Sequence, residues 1–202
     1  MFGKIFAVAA ISGVMLVSGC AMNGNAMADA GTMGAASGSE HTVMVGGAAM
    51  YPSRNIIQNA VNSRDHTTLV AAVQAAGLVD TLSGPGPFTV FAPTNAAFNK
   101  LPPGTVETLL QPANRPTLTR ILTYHVVAGR LTAADLAARV RAGNGRATLT
   151  TVAGAPLTVT QSGGAIILTD AAGGASTVTT ADVLQSNGVI HVVDSVLMPP
   201  QG

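Results

Sequence analysis

The chain has 202 residues and a formal net charge of +1, with 48% apolar, 9% charged and 3% aromatic residues. With that charge, two Tyr and no Trp, it offers neither a basic field for a nucleic-acid backbone nor a stacking platform for single strands. The core has to be aliphatic, and a single cysteine, Cys20, excludes a disulfide within the chain.

The N-terminal stretch MFGKIFAVAAISGVMLVSGC has one basic residue, Lys4, and then an apolar run from Ile5 to Val17. That run is too short to span a bilayer and has the length and flanks of a signal-peptide core. Its last four residues, VSGC, resemble a bacterial lipobox: an aliphatic residue, two small residues, then Cys. The resemblance implies cleavage before Cys20, a diacylglycerol on its thiol and acylation of its new amino group. Several acyl chains anchor stably where one does so marginally. Ala21, which is not Asp, is similar to the residue that sorts enterobacterial lipoproteins to the outer membrane. The alternative is a secreted protein cut after the small-x-small segment Ala26–Ala28.

Residues 20–49 are rich in Gly, Ala, Ser and Met and show no sustained period, which reads as a flexible tether. Met22, Met27, Met33, Met44 and Met50 lie around His41, so soft-metal binding is an alternative use of this segment.

Periodicity begins at Met50, and residues 50–200 read as one domain. Ile56, Ile57, Ala60 and Val61 share one helical face, and Leu69, Val73 and Ala76 mark a second helix. Gly77 stands where a left-handed cap belongs, with Leu78 placed to pack back on the helix. After the turn SGPGP, FTVFAPTNAAF (Phe88–Phe98) starts as a strand, with Phe88 and Val90 on one face and Thr89 and Phe91 on the other. Pro93 stops it, and Thr94 is placed to cap a short helix.

A further short helix begins at Thr105. A longer one has Asn114 as its cap and Pro116 near its start, with Leu118, Ile121, Leu122 and His125 at i, i+3, i+4 and i+7. A short strand follows, then a helix capped by Thr132 with Asp135 three residues on and Gly143 at its end. The remainder is strand and turn: ATLTTV, PLTVTQ, AIILTD, STVTTADVL and VIHVVDSVL. SNG (Ser186–Gly188) carries Asn-Gly, the strongest short hairpin signal. TTADVLQSNG reads as a surface segment joining two strands. Helices in the first half and strands in the second argue for an α+β fold.

No chemistry announces itself along this order. His41, His66, His125 and His191 show no metal-ligand spacing with one another, and no nucleophile elbow or phosphate loop is present. His125 beside Tyr124 and His191 in an apolar strand read as core histidines with satisfied ring nitrogens.

Three segments, FTVFAPTNAAF, ILTYHVV (Ile121–Val127) and SNGVIHVVDSVLMP (Ser186–Pro199), are together similar to the signature segments of the fasciclin domain, in the same order and at fitting separations. The resemblance covers about Tyr51 to Pro200. It implies a wedge in which the helices pack against a twisted, antiparallel-rich β-sheet assembly, and an extracellular or surface-attached adhesion module without catalysis or cofactor. It implies two candidate contact places. One is Tyr124 and His125 with flanking Leu122 and Val126; the other is Asp182 and Val183, where animal relatives have Asp-Ile. The partner would be a cell-surface or matrix protein or a glycan, with the membrane held through lipidated Cys20. The alternatives are an envelope protein that binds a metal or a small molecule, through the Met-bearing tether or a cleft near His125, and a hydrolase with dispersed residues.

Overall fold

The structure, a computed structural model, describes residues 42–200. The signal segment, Cys20, Met22, Met27, Met33 and His41 lie outside the described residues.

A hairpin of β1 (Val43–Val45) and β2 (Ala48–Met50) comes first. Helices α1 (Ile56–Ala60), α2 (Thr67–Ala76) and α3 (Val79–Ser83) lead to β3 (Phe88–Pro93). Helices α4 (Asn95–Asn99), α5 (Thr105–Leu110) and α6 (Arg115–Tyr124) follow, then β4 (Val126–Ala128) and α7 (Ala133–Ala142). The chain finishes with β5 (Arg146–Thr150), β6 (Pro156–Ser162), β7 (Ala165–Thr169), β8 (Ala175–Gln185) and β9 (Gly188–Val193). The α+β reading is confirmed.

Seven strands form one sheet in the order β4-β3-β9-β8-β7-β6-β5. Every pairing is antiparallel except β3 with β9. Just past β5, Thr151 bridges Val127 of β4 and the Val152 N–H donates to the Val126 carbonyl at 2.7 Å, so the sheet nearly closes on itself. Both β3 and β9 are buried on both faces, as their unbroken apolar runs require of a parallel pair. Strand alternation divides them between two cores. Val90, Ala92, Ile190 and Val192 face Leu69, Val73, Leu118 and Leu122 of the helices. Phe91 and Val193 face the inside of the curved sheet, with Leu157, Val159, Leu168 and Leu136.

The caps follow the sequence. The Thr94 hydroxyl accepts the Ala97 N–H at 3.3 Å. Thr132 and Asp135 close a reciprocal capping box on α7. Gly77 ends α2 at φ 73°, and the Leu78 N–H returns to the Val73 carbonyl.

Four expectations are corrected. The tether boundary at Met50 fails at its C-terminal end, because residues 43–50 form the β1–β2 hairpin with Val45 and Met50 buried in the helix-side core. Gly46 and Gly47 both take positive φ, 58° and 76°, the conformation of a two-residue hairpin turn. TTADVLQSNG is no connecting segment; β8 runs to Gln185. The hairpin turn is Ser186–Asn187, not Asn187–Gly188, since Gln185 pairs with Gly188. Gly188 is needed for a different reason: a Cβ there would collide with the Phe88 carbonyl oxygen of β3. Finally, α6 ends at Tyr124, leaving His125 as its C-cap; at its other end Asn114 stands at the N-cap as expected, although its side chain makes no capping bond and its amide donates to the Thr108 carbonyl at 2.7 Å.

Candidate functional site

The end of α6 aims Tyr124 and His125 into the protein, where both are buried. The Tyr124 hydroxyl donates to the Pro156 carbonyl at 2.8 Å and accepts the Ala171 N–H at 3.1 Å. Burial pushes its ionisation up. His125 Nδ1–H donates to the Ile121 carbonyl at 2.9 Å, and Nε2 accepts the Leu197 N–H at 2.9 Å. Those two bonds fix the neutral tautomer. Burial lowers the His125 pKa to about 4, against a smaller opposing pull from the Ile121 carbonyl and Asp170.

Asp170 completes this corner. Its Oδ1 accepts the N–H groups of Ala172 (3.0 Å) and Gly174 (2.7 Å), and its Oδ2 accepts that of Met198 (2.9 Å). Tyr124, His125 and Asp170 thus tie together the end of α6, the start of β6, the β7–β8 turn and the C-terminal segment. Asp170 escaped the sequence reading. Its signal was an Asx turn, an Asp whose carboxylate caps the backbone of the following AAGG.

The second candidate place lies on β8. The register of β8 on β9 shifts between Thr180 and Val183, and in that bulge Asp182 takes φ 57°. A non-glycine residue at positive φ is uncommon and is held there by its surroundings. Here Asp182 Oδ1 accepts the N–H of Ala133, the first residue of α7, at 2.7 Å. The backbone N–H of Asp182 points at His191 Nδ1, 3.4 Å away, while His191 Nε2–H donates to the Leu131 carbonyl at 2.8 Å. His191 is buried, stacked on Phe91 with ring centroids 5.6 Å apart, and burial lowers its pKa. Asp182 therefore joins β8 to the N-terminus of α7, a carboxylate where the helix dipole favours one. Val183 turns the other way into the helix-side core, and Leu184 is 37% exposed.

Of the four candidate contact residues, then, Tyr124, His125 and Val183 are interior and Asp182 is half-buried. Tyr124 and His125 share one corner, and no hydrogen bond joins it to the Asp182 bulge among the described residues. Asn187 also went unread as more than a turn residue. It is buried, with Oδ1 accepting the Ile56 N–H at 3.1 Å and Nδ2 donating to the carbonyls of Leu82 and Gly84. His66 is buried with Nδ1 2.8 Å from the Ser63 hydroxyl, and its pKa is lowered by burial. No helix among the described residues is long and apolar enough to cross a membrane.

The framework built by the three signature segments has counterparts elsewhere. The sequence model of the fasciclin domain matches residues 64–199. The chain belongs to the fasciclin domain family. The Synechocystis protein sll1483 is 46% identical over 161 residues, 80% of this chain and 82% of that protein. The cell surface glycolipoprotein MPB83 of Mycobacterium bovis is 37% identical over 146 residues, 70% of this chain and 59% of that protein. Among solved structures, the FAS1 domain pair of the insect cell adhesion molecule fasciclin I shares the fold, with a TM-score of 0.66 at 20% identity over 73% of this chain and 52% of that one. In this fasciclin domain the signature segments are the central parallel pair and the corner that holds the tail.

Proposed function

We propose that this fasciclin domain is a lipid-anchored, non-catalytic binding and adhesion module of the cell envelope. The observation that carries the reading is how the chemistry-bearing side chains are engaged. Both ring nitrogens of His125 and of His191, the Tyr124 hydroxyl and both oxygens of Asp170 are bound to backbone groups. A general acid or base must reach a substrate proton. These groups reach only the fold, so recognition falls to the surface they support.

The anchor is the proposed triacylated Cys20, with the outer membrane as its destination. The lipobox-like VSGC supports it, as does the glycolipoprotein name of the Mycobacterium bovis relative. The contact surface is the outer side of β8 around Asp182. There Leu184 is exposed, and Arg130, also exposed, donates to the Gln185 carbonyl at 3.0 Å. A carboxylate, an aliphatic side chain and a guanidinium there supply orientation and contact area to a cell-surface protein or glycan. Val183 shapes this region from inside, while Tyr124 and His125 brace the separate corner that holds the tail. Many anchored copies gain roughly 10²–10⁴ in avidity where geometry permits simultaneous engagement, so weak single contacts suffice.

The test joins fractionation to attachment. Cys20→Ala protein is expected to leave the membrane fraction and migrate differently. Leu184→Ser with Arg130→Ala, in folded protein, is expected to weaken attachment to cell-surface or matrix fractions. Unchanged fractionation defeats the anchor, and unchanged attachment moves the contact surface off β8.

A further inference from the structure

The two cavities beneath the helices, about 30 and 20 Å³, have room for little more than a water molecule. A third concavity is of another order. Between α5, α6 and the C-terminal segment runs a groove of about 500 Å³, within the range of roughly 300–1,000 Å³ usual for small-molecule sites. Its apolar wall is Leu109, Pro116, Ile121, Met198 and Pro199, and among the described residues Arg120 is the one charged residue lining it.

The far wall is fixed. Leu197 is held by His125, Met198 by Asp170, and the Pro200 carbonyl accepts from Arg120 Nη2 at 3.0 Å. Three successive anchors keep the tail from collapsing onto α6, so the groove is formed before any ligand arrives. Preformed walls reduce the ordering that binding requires.

Arg120 is exposed, and its bond to Pro200 uses one of its nitrogens. Among the described residues the one ion pair is Lys100 with Asp194, so no carboxylate among them pairs with this guanidinium. We propose that the groove binds a small organic carboxylate with an apolar body. The guanidinium fork matches a carboxylate, and the aliphatic wall covers the rest of the molecule. A dianion would bring a second charge to an apolar wall with no second cation to meet it. A neutral ligand would leave the guanidinium unused. Recognition here is independent of the adhesive surface on β8.

The test is a methyl and amide NMR titration of the purified protein with octanoate, with 1-octanol as the uncharged probe of the same length. Octanoate is expected to shift Leu109, Ile121 and Met198 and to bind about tenfold tighter than octanol, the worth of a hydrogen bond to a charged group. Arg120→Gln is expected to abolish that preference, octanoate then binding no tighter than octanol, and Arg120→Lys to keep part of it. Equal affinity for the two probes in the wild type, shifts centred elsewhere, or an undiminished preference in a folded Arg120→Gln variant overturns the proposal. Loss of fold in Arg120→Gln leaves the decision with the wild-type ratio and Arg120→Lys.

Discussion

The corner around His125 and the bulge around Asp182 solve the same problem with opposite means. Both join a sheet element to a helix through an ionisable side chain. The corner does so in the interior, with every polar atom of His125 matched to a backbone group and an unstrained backbone, φ −82°. The bulge does so half in solvent, with a residue forced to φ 57° and one 2.7 Å bond from its carboxylate to Ala133. A buried group is held by the penalty of leaving it unpaired; a half-exposed one by the modest net worth of its bond, since water stands ready to replace the partner. The corner should therefore be stiff and intolerant, and the bulge adjustable. Adjustability is what a contact surface needs.

Phe91 lies outside this contrast, because it packs in the inner core and stacks on His191 beneath the bulge. Phe91→Ala is expected to destabilise by ~3–5 kcal/mol in denaturant titration, the usual range for a buried Phe. An unchanged midpoint would mean that β3 is not the spine of the fold, and the contrast would lose its reference.

The next effect is acid lability of the corner. The folded state keeps His125 neutral down to about pH 4, whereas the unfolded chain takes up a proton near 6.5. The unfolded state thus binds more protons in that window, and stability falls as pH drops from 6.5 through 4. The loss from this group is about 3 kcal/mol. His191 and His66, whose values are also lowered by burial, add to it with the same sign. In His125→Phe, denaturation at pH 7 and pH 4.5 should give a smaller difference between the two pH values than in wild type. An equal difference would show that the corner is not what acid attacks.

At the bulge the expected changes are smaller. Asp182→Ala removes the bond to Ala133 and should cost ~0.5–2 kcal/mol, as the loss of a helix cap does. Asp182→Gly also loses that bond but relieves the positive φ, so it should be the milder of the two. If Asp182→Ala proves as damaging as Phe91→Ala, the bulge is as rigid as the corner and the distinction fails. The surface pair of Lys100 and Asp194, 3.4 Å apart and largely exposed, sets the lower bound. Lys100→Ala should change stability by ~0–1 kcal/mol, less in high salt.

What the sequence made legible follows from the range of the interactions. Caps at Thr94, Thr132 and Gly77 are local, decided within four residues, and they stand where the pattern puts them. The burial of Val90, Phe91, Ile190 and Val192 follows from strand alternation. The β1–β2 hairpin was missed because its two strands are only three residues long and its Gly46–Gly47 turn merges into a Gly-rich stretch; Val45 and Met50 become core only when the helices arrive beneath them. Asp170, Asn187 and the Arg120 groove stayed hidden for a related reason. Their partners are Met198, Ile56 and Pro200, remote in the chain, and no periodicity announces a bond across such a distance. Asp182 was legible as a residue of interest but not as the ligand of the α7 terminus, since nothing in its neighbours names Ala133.

The parallel pairing of β3 with β9 places the last strand of the chain in the middle of the sheet, between β3 and β8, with Phe88 opposite Gly188. Such long-range pairing is slow, because the loop must close before the contacts reward it. A chain that ends between β8 and β9 leaves β3 and β8 with unpaired facing edges, open to pairing with another molecule. Loss of β9 alone therefore removes both pairings at the middle of the sheet, with β3 on one side and β8 on the other.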